Sequence, residues 1–241
     1  FGLPSLLPDG VELLSGPGCP VCVTPNAYVD RAIELGRRGD MLATFGDLYR
    51  VPGSRGTLQE AAGQDVDVRV VYSSSDALEL ARRMEDRRVV MLAIGFETTA
   101  PAVAATMMQA AADGVDNFRI MSGHKTMPPA LEALACAPDC ALDGFILPGH
   151  VSTIIGSEPY RFLPQDHGLA CCIAGFEPTD VLRAILSLCR QVADGEPQVD
   201  NAYRRAVRPQ GNPTARKHVQ GVFEPTPARW RGLGVLESSG L

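Results

Sequence analysis

The chain has 241 residues, 45% hydrophobic and 21% charged, enough for one or two domains that each bury a core. A net charge of −6 with no basic block argues against nucleic acid as the main partner, and the longest apolar run, 89-VVMLAIGF-96, is far too short to span a membrane. No secretory-type leader is expected, so cytoplasm is the expected compartment, where seven cysteines are metal ligands, redox groups or core residues.

The first marked segment is 16-GPGCPVC-22, a proline-stiffened turn with two cysteines three positions apart. Thr24 and Pro25 then supply an N-cap and first-turn proline, Val29 and Ile33 share a helical face, and Gly36 is expected to stop that helix. A strand follows at 41-MLATF-45, a capping box at 57-TLQE-60 and a strand at 66-VDVRVVY-72. In 76-DALELARRME-85, Ala77, Leu80, Ala81 and Met84 form one stripe. Strand 88-RVVMLAI-94 leads to a helix opened by Thr99 and Pro101 and ending near Gly114. Further strands are expected at 118-FRIM-121, 144-GFIL-147 and 169-LACCIA-174, with the apolar helix 180-DVLRAILSLC-189 after them. Strands that are apolar throughout, alternating with helices, define an α/β fold with parallel sheets.

A weak internal repeat accompanies this order. The turn 45-FGD-47 is echoed by 122-SGH-124 at an offset of 77, and 95-GFETT-99 by 175-GFEPT-179 at an offset of 80. The expectation is two similar lobes of three strands each, every lobe a parallel sheet flanked by helices, with a cleft between them. The segments are 1–114 with the C-x-x-C turn, 115–195, and an Arg- and Pro-richer tail, 196–241.

Functional groups in parallel α/β sheets collect at the carboxyl ends of strands. Those ends carry Cys19, Cys22, Asp47, Arg50, Glu97, His124, Lys125, His150 and Glu177. Taken singly, each acid also reads as a helix-start residue and each histidine as a surface group. Their concentration at one kind of edge is the signal. No G-x-G-x-x-G opens a helix and no G-x-x-x-x-G-K-[ST] occurs, and prolines replace the backbone donors that a phosphate cradle would offer in 16-GPGCPVC-22.

A tetrahedral zinc site needs four ligands. Cys136 and Cys140 are the other spaced pair, but 137-APD-139 reads as a helix stop and nothing places them beside Cys19. Cys171 and Cys172 are strand neighbours pointing to opposite faces, and with Cys189 they read as core. Cys19 and Cys22 are left as a redox pair or a soft-metal site.

The blocks 16-GPGCPVCVTP-25, 44-TFGDLYRVPGS-54, 93-AIGFETTAP-101, 123-GHKTMPP-129, 144-GFILPGHVSTIIG-156 and 174-AGFEPTDVL-182, with 222-VFEP-225 and 229-RWRGLG-234, resemble in register the HypD family of [NiFe]-hydrogenase maturation. The resemblance implies a scaffold rather than a conventional enzyme. It would hold iron, the transient Fe(CN)2CO unit, with a HypC-type small chaperone while a HypE-type donor delivers cyanide. Cys19 and Cys22 would be redox-active thiols and iron ligands. Glu97, His124, Lys125 and Glu177 would serve the chemistry, and Asp47, Arg50 and His150 would line the cofactor cleft. The family's C-G-G-H-T-H segment is expected before Phe1, and the cysteines of a [4Fe-4S] cluster beyond Leu241, so the chain reads as a fragment. Metal-free thiol–disulfide oxidoreductase and passive docking module are the competing readings.

Overall fold

Seven consecutive apolar or small residues, 89–95, form a strand buried at every position, as expected of a strand covered on both faces. The computed structural model describes residues 2–138 and 140–241. The chain divides into two compact units, one of residues 19–126 and 217–241, the other of residues up to 18 with 127–216.

The larger unit runs α1 (Asn26–Arg37), β1 (Met41–Thr44), α2 (Gly46–Tyr49), α3 (Leu58–Ala62), β2 (Val68–Val70), α4 (Ser74–Arg83), β3 (Val89–Gly95), α5 (Ala100–Ala112) and β4 (Phe118–His124). Its strands are parallel in the order β2-β1-β3-β4. Alternation along β3 divides the core. Val90, Leu92 and Ile94 join Val29, Ile33, Leu48 and Leu58 of α1, α2 and α3, while Val89, Met91 and Ala93 join Ala77, Leu78, Ala81 and Val103 of α4 and α5. Capping boxes start α3 (Thr57 with Glu60) and α4 (Ser73 with Asp76).

The smaller unit contains α6 (Met127–Ala135), β5 (Gly144–Pro148), α7 (Gly149–Ile155), α8 (Phe162–His167), β6 (Ala170–Ala174), α9 (Pro178–Asp194) and β7 (Val199–Asn201). Its parallel sheet has the order β5-β6-β7. Cys172 and Ala174 of β6 pack on Ala184 and Leu188 of α9. The Gln191 side chain donates to the Cys171 carbonyl and accepts from Cys171 and Gln198 N–H, tying α9 to the sheet. After α10 (Pro213–Val222), the antiparallel hairpin β8 (Thr226–Trp230) and β9 (Gly234–Gly240) belongs to the larger unit.

All six expected strands are present and parallel. Several details differ. The segment 118–124 is the fourth strand of the first sheet, hydrogen-bonded beside β3, so the first unit reaches residue 126 instead of 114. Gly46 and Gly123 therefore lie in one unit, and the 77-residue echo between them is no duplication. The sheets hold four and three strands. Residues 196–241 do not form one tail, since 199–201 complete the smaller sheet and 217–241 the larger unit. Gly36 does not end α1, which runs on to Arg37. Gly36 is there for close packing, because a Cβ would lie 2.3 Å from Val66. Pro25, not Thr24, occupies the N-cap, and the Thr24 hydroxyl donates to the Pro20 carbonyl. Cys171 and Cys172 are buried as expected, but Cys189 is exposed on the outer face of α9. Among the described residues no helix is long and apolar enough to cross a membrane.

Candidate functional site

Cys19 and Cys22 occupy the turn leading into α1. The backbone N–H of Cys22 donates to Sγ of Cys19 at 3.2 Å, and that of Val23 to the Cys19 carbonyl at 3.2 Å. The hydrogen bond to Cys19 raises the Cys22 thiol above its ordinary value, burial and the charge on Cys19 add to this, and Arg231 opposes it. The Cys19 sulfur accepts the Cys22 N–H, and Cys22 holds its proton more tightly than an ordinary thiol. Cys22 is exposed and Cys19 half-buried. Arg231, in the turn between β8 and β9, donates its backbone N–H to the Val23 carbonyl at 2.8 Å and its guanidinium to Asn26 at 2.6 Å. The hairpin therefore fixes the dithiol turn from its far side.

Glu97, His124 and Lys125 meet at the carboxyl edge of the larger sheet because Gly95 pairs in register with His124 and the Lys125 N–H donates to the Gly95 carbonyl at 2.9 Å. All three are buried. The hairpin covers them. Trp230 stacks on Phe96 at 5.9 Å, Lys125 Nζ lies 5.8 Å from the Trp230 ring, and Thr126 donates its backbone N–H to the Ser239 carbonyl. His124 is edge-on to Phe223, with Nδ1 3.3 Å from Ser122 Oγ and no hydrogen-bond partner for Nε2 among the described residues. Burial, helped by the charge of Lys125, pushes its pKa down to about 4, and burial also lowers that of Lys125. His124 is a neutral imidazole at pH 7. Asp47 on α2 and Arg50 just after it are exposed behind β1, the strand next to β3.

His150 and Glu177 stand at the carboxyl edge of the other sheet, in the other unit. His150 is exposed in the first turn of α7, its ring 4.0 Å from Phe176. Glu177 is the exposed N-cap of α9 and lies 3.4 Å from Arg205. Arg205 makes a two-pronged pair with buried Asp180 at 2.8 and 2.6 Å, which holds that carboxyl below its ordinary range. The two Gly-Phe-Glu triplets both follow the middle of their sheets, β3 and β6, yet Glu97 is buried and Glu177 exposed. Their glycines share a reason. A Cβ at Gly95 would sit 1.7 Å from Thr99 Oγ1, and one at Gly175 would sit 2.1 Å from Asp180 Oδ2.

The sequence reading passed over Trp230, Arg231, Asp180 and Arg205. Trp230 is the chain's one tryptophan, flanked by arginines in 229-RWR-231, which was its available signal. Asp180 and Arg205 are 25 positions apart and had none.

The whole chain, residues 1–241, matches the HypD family model, described as the hydrogenase formation hypA family. It is 46% identical over 243 residues to the hydrogenase maturation factor HypD of Rhodobacter capsulatus and 44% over 243 residues to that of Escherichia coli K12. It is 45% identical over 249 residues to the hydrogenase expression/formation protein HupD of Azotobacter chroococcum. Each match takes in 100% of this chain but 64%, 65% and 66% of the relative, so the chain spans just under two thirds of their lengths. With its matching blocks in register across both units, the chain belongs to the HypD family.

Proposed function

We propose that this chain serves hydrogenase maturation as a scaffold on which an iron cargo acquires cyanide and carbon monoxide, with Cys19 and Cys22 as its redox thiols. The observation that carries the reading is the asymmetric dithiol, an accepting sulfur at Cys19 beside a proton-holding thiol at Cys22. Soft thiolates suit iron that carries cyanide. Releasing cyanide from a thiocyanate takes two electrons and leaves a thiolate on the donor. Oxidation of the Cys19 and Cys22 thiols to a disulfide supplies two electrons and releases two protons, so electrons and charge balance. The partners are a HypC-type chaperone and a HypE-type cyanide donor, and the compartment is the reducing cytoplasm.

The buried groups take supporting roles. Lys125 and the neutral His124 hold the hairpin, which in turn holds the dithiol turn through Arg231. Asp47, Arg50, His150 and Glu177 are the exposed groups able to meet anionic ligands or partners. The test is anaerobic reaction of the full-length protein with a thiocyanate-bearing donor and iron. Two thiols should disappear per cyanide transferred, and Cys19→Ser and Cys22→Ser should each stop maturation. Thiol oxidation with no iron–cyanide product would favour the metal-free oxidoreductase. Normal maturation in both variants would sink the dithiol role.

A further inference from the structure

We propose that Glu132, Cys136 and His167 of the smaller unit form a site for a borderline-soft divalent cation of the zinc class. Cys136 follows the last turn of α6, and its N–H donates to the Glu132 carbonyl at 2.9 Å, so the two side chains share a face one turn apart. His167 ends α8, where Gly168 in the left-handed conformation (φ 67°) terminates the helix and Phe162 stands edge-on to the imidazole. One sulfur, one imidazole nitrogen and one carboxylate oxygen thereby lie within 4.8 Å of one another.

The two spacings to the Glu132 oxygen match a tetrahedral ion. Zinc bonds of roughly 2.0–2.1 Å to N or O and roughly 2.3 Å to S give edges of about 3.3 Å for N···O and about 3.6 Å for S···O. His167 Nε2 is 3.1 Å from Glu132 Oε1, and Cys136 Sγ is 3.5 Å from the same oxygen. A thiolate in the set disfavours magnesium and calcium, and a thiolate with a carboxylate neutralises a 2+ charge. The Glu132 side chain is 48% exposed, which leaves the fourth position to water. Once bound, the ion clips the end of α6 to the end of α8.

The test uses the whole chain carrying Cys19→Ser and Cys22→Ser, titrated with Zn2+ against a chromogenic chelator and with Co2+ by absorbance, while circular dichroism monitors the fold. Expected are one Zn2+ per chain and a sulfur-to-cobalt charge-transfer band. Affinity should fall at least tenfold in Cys136→Ser and in His167→Ala, the band should vanish in Cys136→Ser, and Cys140→Ser should change neither. Absence of zinc binding, or binding that both folded variants keep unchanged, overturns the assignment.

Discussion

Acid should destabilise the larger unit through His124. Its imidazole is 1% exposed, and its pKa is pushed down to about 4 from an ordinary value of about 6.5. The folded state therefore binds the proton less readily than the unfolded chain. Stability from this group is fully present above about pH 6.5, falls as pH drops towards about 4, and changes no further below that. The shift corresponds to about 3 kcal/mol at ~1.36 kcal/mol per pH unit, a large part of a typical folding free energy of about 5–15 kcal/mol. The assay is urea unfolding between pH 7.5 and 4 of the wild type and of His124→Gln, whose amide does not titrate. Groups common to both cancel in the difference, and the wild type should lose about 3 kcal/mol more than the variant. Parallel pH profiles, or an imidazole of His124 titrating near its ordinary value by NMR, would refute the reasoning.

Trp230→Ala should cost about 3–5 kcal/mol, since it empties a fully buried site that stacks on Phe96 and donates to Ser239. A loss below about 1 kcal/mol by urea unfolding would count against that packing. Gly149→Ala should cost about 1–3 kcal/mol, because its Cβ would lie 2.2 Å from the Ala174 carbonyl oxygen, a backbone atom that cannot step aside. Arg231→Ala removes the charge that lowers the Cys22 thiol, so mass-resolved alkylation at pH 8 should slow at Cys22; an unchanged rate contradicts the contact.

The parallel strands were legible because 89–94 and 169–174 are apolar beyond what a one-sided sheet allows. Both burial patterns agree, all seven positions of β3 and all five of β6. The capping box at Thr57 was legible because its partner sits three residues away. The fold lost information where the partner is distant. Nothing local says that 118–124 pairs beside β3 or that the hairpin at 226–240 returns over His124. The same holds for the site. Strand-end logic located Glu97, His124 and Lys125 at one edge but not their burial, which depends on Trp230 more than a hundred positions later. Cys136 looked like half of a pair with Cys140 because spacing is visible in one dimension, whereas His167, which joins Cys136 and Glu132, comes from a different helix.

Under the proposed function the Cys19–Cys22 turn carries the chemistry of iron–cyanide assembly. Infrared spectroscopy of the full-length protein, matured anaerobically with its partners, tests this most directly, because cyanide and carbon monoxide on iron absorb where protein does not. Both sets of bands are expected in the wild type and in Cys189→Ser, which changes an exposed cysteine remote from any assigned role, and their loss in folded Cys19→Ser. Full-strength bands in Cys19→Ser, with hydrogenase maturing normally, would contradict it.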